Sequence, residues 1–387
     1  MINKRVLLLA PISVIALDLF YIGLAVKIYL MIILPVLFFE NIKISKSMVS
    51  ILQSVGFLLL VGGISMLVSD IATNYKSFVH DVLFLMMIIF LLNIKLSKNT
   101  LKVFHRDFIR YIHVSFAVFL IYVSVSYLAG GSMSNIESDV FRLSGTMGAS
   151  VTAIYLSLVF TTYFTQAFFN KGYGYYILSG FVFFLTILTG TRIAIVAIIV
   201  MMFYTLFRSN SNKKLLLMVF LTMLTVIAGF FILERMFFDG NIALSNINTN
   251  GRTYLWSNLL SAYIKSPYIG NGFGSVYVYI STDDLLRRVG VQPHNDYIRF
   301  LFNTGALGFS IFIYTLYLLI KKIFLINNDV VQNKFNQQLS LNYGCIFLII
   351  MITDNIIIYI IYLYPFVLFY SYTLQYSNYQ YQKSRKL

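Results

Sequence analysis

Few residues in this chain can do chemistry, and they stand in short polar stretches. His294 lies in Gln292-Pro293-His294-Asn295-Asp296-Tyr297, directly before a long apolar run. A neutral imidazole there can take a proton from an attacking hydroxyl. Pro293 restricts the approach of the chain, and either Asn295 or Asp296 can cap the helix that follows. Arg252 lies in Asn250-Gly251-Arg252-Thr253-Tyr254-Leu255-Trp256, Arg192 follows Leu188-Thr189-Gly190-Thr191, and Arg142 opens Arg142-Leu143-Ser144-Gly145-Thr146. A planar guanidinium grips phosphate through paired hydrogen bonds. Trp256 can stack on a sugar ring or sit in an interfacial belt. Taken singly, each has a plainer reading: a polar surface histidine, or arginines that snorkel to lipid headgroups.

The elements that must position these residues are dictated by composition. Of 387 residues, 59% are hydrophobic and only 11% charged, with mean hydropathy +0.80. A soluble exterior cannot be built from so little charge. Apolar runs of about 20 residues recur along the chain, each long enough to span a bilayer. The expected fold is therefore all-α, a polytopic membrane helix bundle of about twelve transmembrane helices; a porin-like barrel would show short alternating segments instead. Expected spans are 6–22, 24–39, 49–69, 78–94, 109–128, 147–169, 174–189, 191–207, 214–233, 297–320, 339–354 and 356–376, with steep turns near Gly23, Gly190 and Asn355. The chain reads as a single integral-membrane domain, 1–387: spans one to nine in 1–233, a large external loop at 234–296, and spans ten to twelve with a cytoplasmic tail in 297–387. Lys4 and Arg5 before Val6–Leu17 look like the start of a signal peptide, but no small-residue cleavage site follows, so this is read as a retained first helix.

Charge sets the orientation. With the N-terminus cytoplasmic, the inner segments hold most basic residues, and the outer segments hold most acids, Asp70, Asp81, Asp296 and Asp354 among them. Both termini are then inside and 234–296 is outside. Arg142, Arg192 and His294 precede helices running inward, so their helix N-termini point outward. Exposed N–H groups and the positive dipole end favour an anion at that surface. The net charge of +15 sits in short loops between apolar runs, which favours a lipid bilayer as partner over nucleic acid.

Other features carry less. His80, His105 and His113 read as structural, and Cys345 as a small core residue. Gly270-Asn271-Gly272-Phe273-Gly274 follows no strand, so it reads as a tight turn rather than a nucleotide loop. No His, Asp or Glu cluster has metal-ligand spacing, so neither metal nor cofactor is expected.

The motifs Gly251-Arg252-Thr253-Tyr254-Leu255-Trp256, Ser266-Pro267-Tyr268-Ile269-Gly270-Asn271-Gly272-Phe273-Gly274, Pro293-His294-Asn295-Asp296-Tyr297 and Gly305-Ala306-Leu307-Gly308-Phe309 occur in that order. Together they resemble the O-antigen ligase and polymerase superfamily, over roughly 140–320. Leu188–Arg192 resembles its small-residue-plus-Arg motif, and Arg142–Thr146 its Arg-x-x-Gly-Thr element. The resemblance implies a GT-C-type, metal-independent, inverting membrane glycosyltransferase of the cell inner membrane. Its donor would be an undecaprenyl-diphosphate-linked oligosaccharide. His294 would be the catalytic base, Arg192 and Arg252 would bind the diphosphate, and Arg142 is a weaker correspondence. Asn295, Asp296 and Trp256 are supporting residues. A polysaccharide chain-length regulator is an implied partner.

Two acceptors stay open. A polymerase, for O-antigen or capsule, would use the next lipid-linked repeat unit; a ligase would use lipid A core. The short chain and lean loops favour the polymerase. A flippase for the same lipid would favour internal repeats and charges at the midplane; no repeat is visible, and the informative charges sit at one face. Asp18 and Lys27, inside apolar runs, are what supports it.

Overall fold

The structure is a computed structural model that describes residues 4–16, 24–39, 48–128, 143–144, 148–170, 172–208, 251–290, 292–326 and 331–384. Regular structure among these residues is entirely helical. A bilayer demands this of continuous apolar runs, because it offers no outside partner for backbone N–H and C=O groups. The helices are α1 (Lys4–Val14), α2 (Leu24–Phe39), α3 (Val49–Val68), α4 (Tyr75–Asn93), α5 (Lys98–Leu128), α6 (Ala149–Asn170) and α7 (Tyr173–Leu188). They continue with α8 (Arg192–Arg208), α9 (Arg252–Tyr263), α10 (Ser275–Thr282), α11 (Asp284–Val289), α12 (Asp296–Phe324), α13 (Val331–Ile350) and α14 (Ile360–Ser384). By length and apolarity α3, α5, α6 and α12 can each cross a membrane; α4 and α7 contain shorter apolar helices.

The spans expected at 24–39, 49–69, 78–94, 147–169, 174–189 and 191–207 fall on α2, α3, α4, α6, α7 and α8. Helices α5 and α13 begin well before the apolar runs at 109–128 and 339–354, because polar first turns extend them. The expected span 214–233 lies outside the described residues, as do Asp18, Gly23 and the loop up to Asn250. The remainder of that loop holds the three helices α9, α10 and α11, which hydropathy alone does not reveal. Residues Met351–Tyr359 unwind between α13 and α14 around a short 3₁₀ turn at Ile356–Ile358.

Side-chain pairing gives the helix directions. The Thr315 hydroxyl of α12 donates to Ser54 of α3 at 3.0 Å. Further along, a Cβ on Gly308 would touch Val61 at 3.2 Å. Seven residues separate the levels on each helix, so α3 and α12 run antiparallel in register. Phe104 and Phe108 of α5 pack on Tyr372 and Phe369 of α14, with centroids 4.6 and 4.7 Å apart, again antiparallel. Arg5 of α1 pairs with Asp107 of α5 at 2.9 Å. One end of the bundle thus gathers Arg5, Asp107 and the Lys321–Lys322 end of α12. The other end gathers the C-termini of α3 and α13 and the N-termini of α4 and α12.

Candidate functional site

The second end is where His294, Asn295, Asp296, Arg252 and Trp256 meet. Asn295 begins α12, and its side-chain oxygen accepts from the Ile298 N–H at 3.0 Å. The cap is therefore Asn295. Asp296 turns inward instead, where its carboxylate accepts from the Ile357 N–H at 3.0 Å and its own N–H donates to the Met351 carbonyl at 2.9 Å. His294 sits between this anchor and Pro293 with φ of 50°, the one non-glycine residue with positive φ among the described residues. That conformation costs on the order of 1–3 kcal/mol and persists only where surroundings over-determine it.

Trp256 supplies part of the restraint: its indole N–H donates to the Pro293 carbonyl at 2.7 Å. One turn earlier on α9, Arg252 donates from Nη1 to the Thr353 carbonyl at 2.8 Å. The next residue, Asp354, lies with Oδ1 3.8 Å from Nδ1 of His294. Arg252 and His294 therefore converge on the unwound Met351–Tyr359 stretch, with Trp256 bracing the turn that carries His294. His294 is 32% exposed and Asp354 2%, so the imidazole faces an opening while its acidic neighbour stays inside.

Beneath them lies an ion pair. Arg299, one turn into α12, reaches Asp81 of α4 at 2.7 Å, with both side chains buried. Asp81 also accepts from the Gly274 N–H at 3.1 Å and the Asn303 amide at 3.0 Å. This fixes the glycine-rich turn, in which Gly270, Gly272 and Gly274 all have positive φ. It is the tight turn expected from sequence. Its backbone threads into a break in α12 at Gly305, with φ 64° and ψ −174°. There the Ala306 N–H donates to the Pro267 carbonyl at 2.8 Å and the Gly272 N–H to the Asn303 carbonyl at 2.7 Å.

Arg192 is the exposed first residue of α8. Thr205 of the same helix donates to Asn342 of α13 at 2.9 Å, and Arg208 donates to Gln337, so the two helices are antiparallel. From Thr205 back to Arg192 is thirteen residues, about 20 Å of helix. The same distance along the direction of α13 from Asn342 reaches the Met351–Tyr359 stretch. Arg192 thus stands at the level of the cluster, on a neighbouring helix. Arg142 lies outside the described residues. The residue after it, Leu143, is buried and donates its N–H to the Leu188 carbonyl at 2.9 Å, just ahead of Arg192.

An imidazole at an opening, a guanidinium with donors to spare and a helix N-terminus form a set suited to a hydroxyl nucleophile and an anionic leaving group. Residues 177–313 match the O-antigen ligase family. No curated protein matches the chain. The O-antigen ligase match takes in Arg192, Arg252, Trp256, His294, Asn295 and Asp296, together with Arg299, Asn303 and Gly305. The match is consistent with the O-antigen ligase and polymerase superfamily, and the long apolar helices with a multi-pass membrane protein. Two residues that complete the geometry come from outside the matched stretch, Asp81 on α4 and Asp354 after α13. Sequence marks both acids only as outer-face charges, and it does not single out Arg299. Each is a charge at the border of an apolar run, which is the signal that could have found them.

Proposed function

We propose that this chain is a polysaccharide polymerase, for O-antigen or capsule, acting at the outer face of the cytoplasmic membrane. The observation that supports it is the meeting of His294 and Arg252 on one segment, Thr353–Asp354, at the end of the bundle away from Arg5 and Lys321. In this reading the site end faces out, both termini face the cytoplasm, and the donor is an undecaprenyl-diphosphate-linked glycan chain. His294 takes the proton from a hydroxyl of the next lipid-linked repeat unit. The hydroxyl oxygen bonds to the anomeric carbon of the growing chain as the carbon–oxygen bond to the diphosphate breaks. The electron pair leaves with the diphosphate, whose charge Arg252, Arg192 and Arg142 neutralise. A single displacement inverts the anomeric centre, and no metal is required. A chain-length regulator is the accompanying partner.

The test is a glycan gel from a deletion strain complemented with the wild type and with His294→Ala. Loss of polymer with the variant still in the membrane is expected; polymer of normal length would sink the reading. The description of the matched family, O-antigen ligase, favours a second acceptor, lipid A core. The same strain separates the two. A lost polymerase leaves single repeat units on core, whereas a lost ligase leaves core bare.

A further inference from the structure

We propose that Asp354 is a positioning residue for His294, an assignment that deepens the glycosyl-transfer reading and rests on it. The Nδ1 atom of His294 is buried and has no hydrogen-bond partner, and the Asp354 carboxylate oxygen stands 3.8 Å from it. A lone pair on Nδ1 would face that carboxylate and be repelled; a proton there is attracted. The carboxylate therefore selects the tautomer with hydrogen on Nδ1 and leaves the lone pair on Nε2. That second nitrogen lies toward Gly290, where an added Cβ would stand 3.5 Å from it, in van der Waals contact.

The separation is longer than a hydrogen bond. Closing it by less than an ångström would make a charge-assisted one, the kind of tightening that accompanies substrate binding. Asp354 is held for this: Oδ1 accepts from the Asn355 N–H at 2.8 Å, and Arg252 grips the preceding carbonyl. During transfer the hydroxyl proton moves to Nε2, and the positive charge gained by the ring is met by the carboxylate across Nδ1. The bond made is oxygen to anomeric carbon, and the bond broken is anomeric carbon to diphosphate oxygen.

The test uses full-length protein in lipid vesicles, with lipid-linked glycan extracted from the deletion strain as substrate. The rate of chain growth, donor binding and thermal unfolding are measured for Asp354→Asn, Asp354→Glu and His294→Ala. Asp354→Asn is expected to lower kcat roughly tenfold or more, with donor binding within about twofold and unfolding unchanged, while Asp354→Glu recovers much of the rate. Wild-type kcat in Asp354→Asn beside a dead His294→Ala overturns this proposal alone. A rate lost only in step with binding and unfolding temperature overturns it too. Full activity in His294→Ala overturns the underlying reading instead.

Discussion

Trp256 donates its indole N–H to the Pro293 carbonyl, so the helix that carries Arg252 also holds the turn that carries His294. This is the chain's single tryptophan. Its emission should therefore respond when a lipid diphosphate engages Arg252. Titration with donor lipid is expected to shift the emission in the wild type and not in Arg252→Ala. Trp256→Phe keeps the ring bulk and removes the donor, so it should lower kcat more than it lowers the unfolding temperature.

Arg252→Lys keeps the charge and removes the fork. One ammonium cannot hold the Thr353 carbonyl and grip an anion as a planar guanidinium does. Chain growth is expected to fall roughly tenfold, the loss of about one charge-assisted bond, with a matching rise in donor KM. An unchanged KM would place the diphosphate elsewhere.

Asp81→Ala leaves the Arg299 guanidinium buried without its counter-charge, at a cost of about 3–5 kcal/mol. Asp81→Asn is milder, since the amide oxygen can still accept from the Gly274 N–H. Pairing Asp81→Leu with Arg299→Met should unfold at a higher temperature than either single change, because no lone charge remains. Thermal scans in detergent decide this, and equal losses for single and double variants would show that the pair is not coupled.

Asn295→Ala removes the cap of α12 and should cost about 1 kcal/mol, while Asn295→Asp or Asn295→Ser keeps most of it. Activity should fall further than stability does, because the cap also fixes the left-handed residue beside it. The ratio of relative rate to folded fraction measures the difference.

Glycine substitutions should divide sharply. An added Cβ on Gly305 would collide with the Tyr268 backbone, and its φ of 64° disfavours any side chain. On Gly62 it would enter the buried ring of Phe273. Gly305→Ala is expected to destabilise by more than about 1 kcal/mol, and Gly62→Ala to force the ring aside. At Gly56 a Cβ meets nothing within 4 Å, and Gly56→Ala should unfold like the wild type.

Much of this architecture was legible in the residues. Apolar runs marked α2, α3, α4, α6, α7 and α8, because in lipid the helix is the way a lone segment satisfies its own backbone. His294, Arg252 and Trp256 could be singled out because each stands in a polar stretch beside such a run, and the structure brings all three together. The floor was not legible. Asp81 and Arg299 are far apart in the chain, and their pairing depends on how α4 packs against α12, which no local pattern encodes. The helices α9, α10 and α11 were hidden for a related reason. They are short and mixed in character, so no apolar periodicity sets them apart from an open loop. Trp256, open between sugar stacking and an interfacial belt, proved to brace a backbone carbonyl, a role that residue type alone does not suggest.

The acids that complete the site come from either side of residues 177–313, Asp81 from α4 and Asp354 from the unwound stretch after α13. Exchanging only that middle portion between relatives would set a transplanted Arg299 and His294 against foreign carboxylates. A hybrid meant to swap acceptor preference must therefore carry α4 and the α13–α14 junction along with it, or the new centre will arrive without its counter-ions.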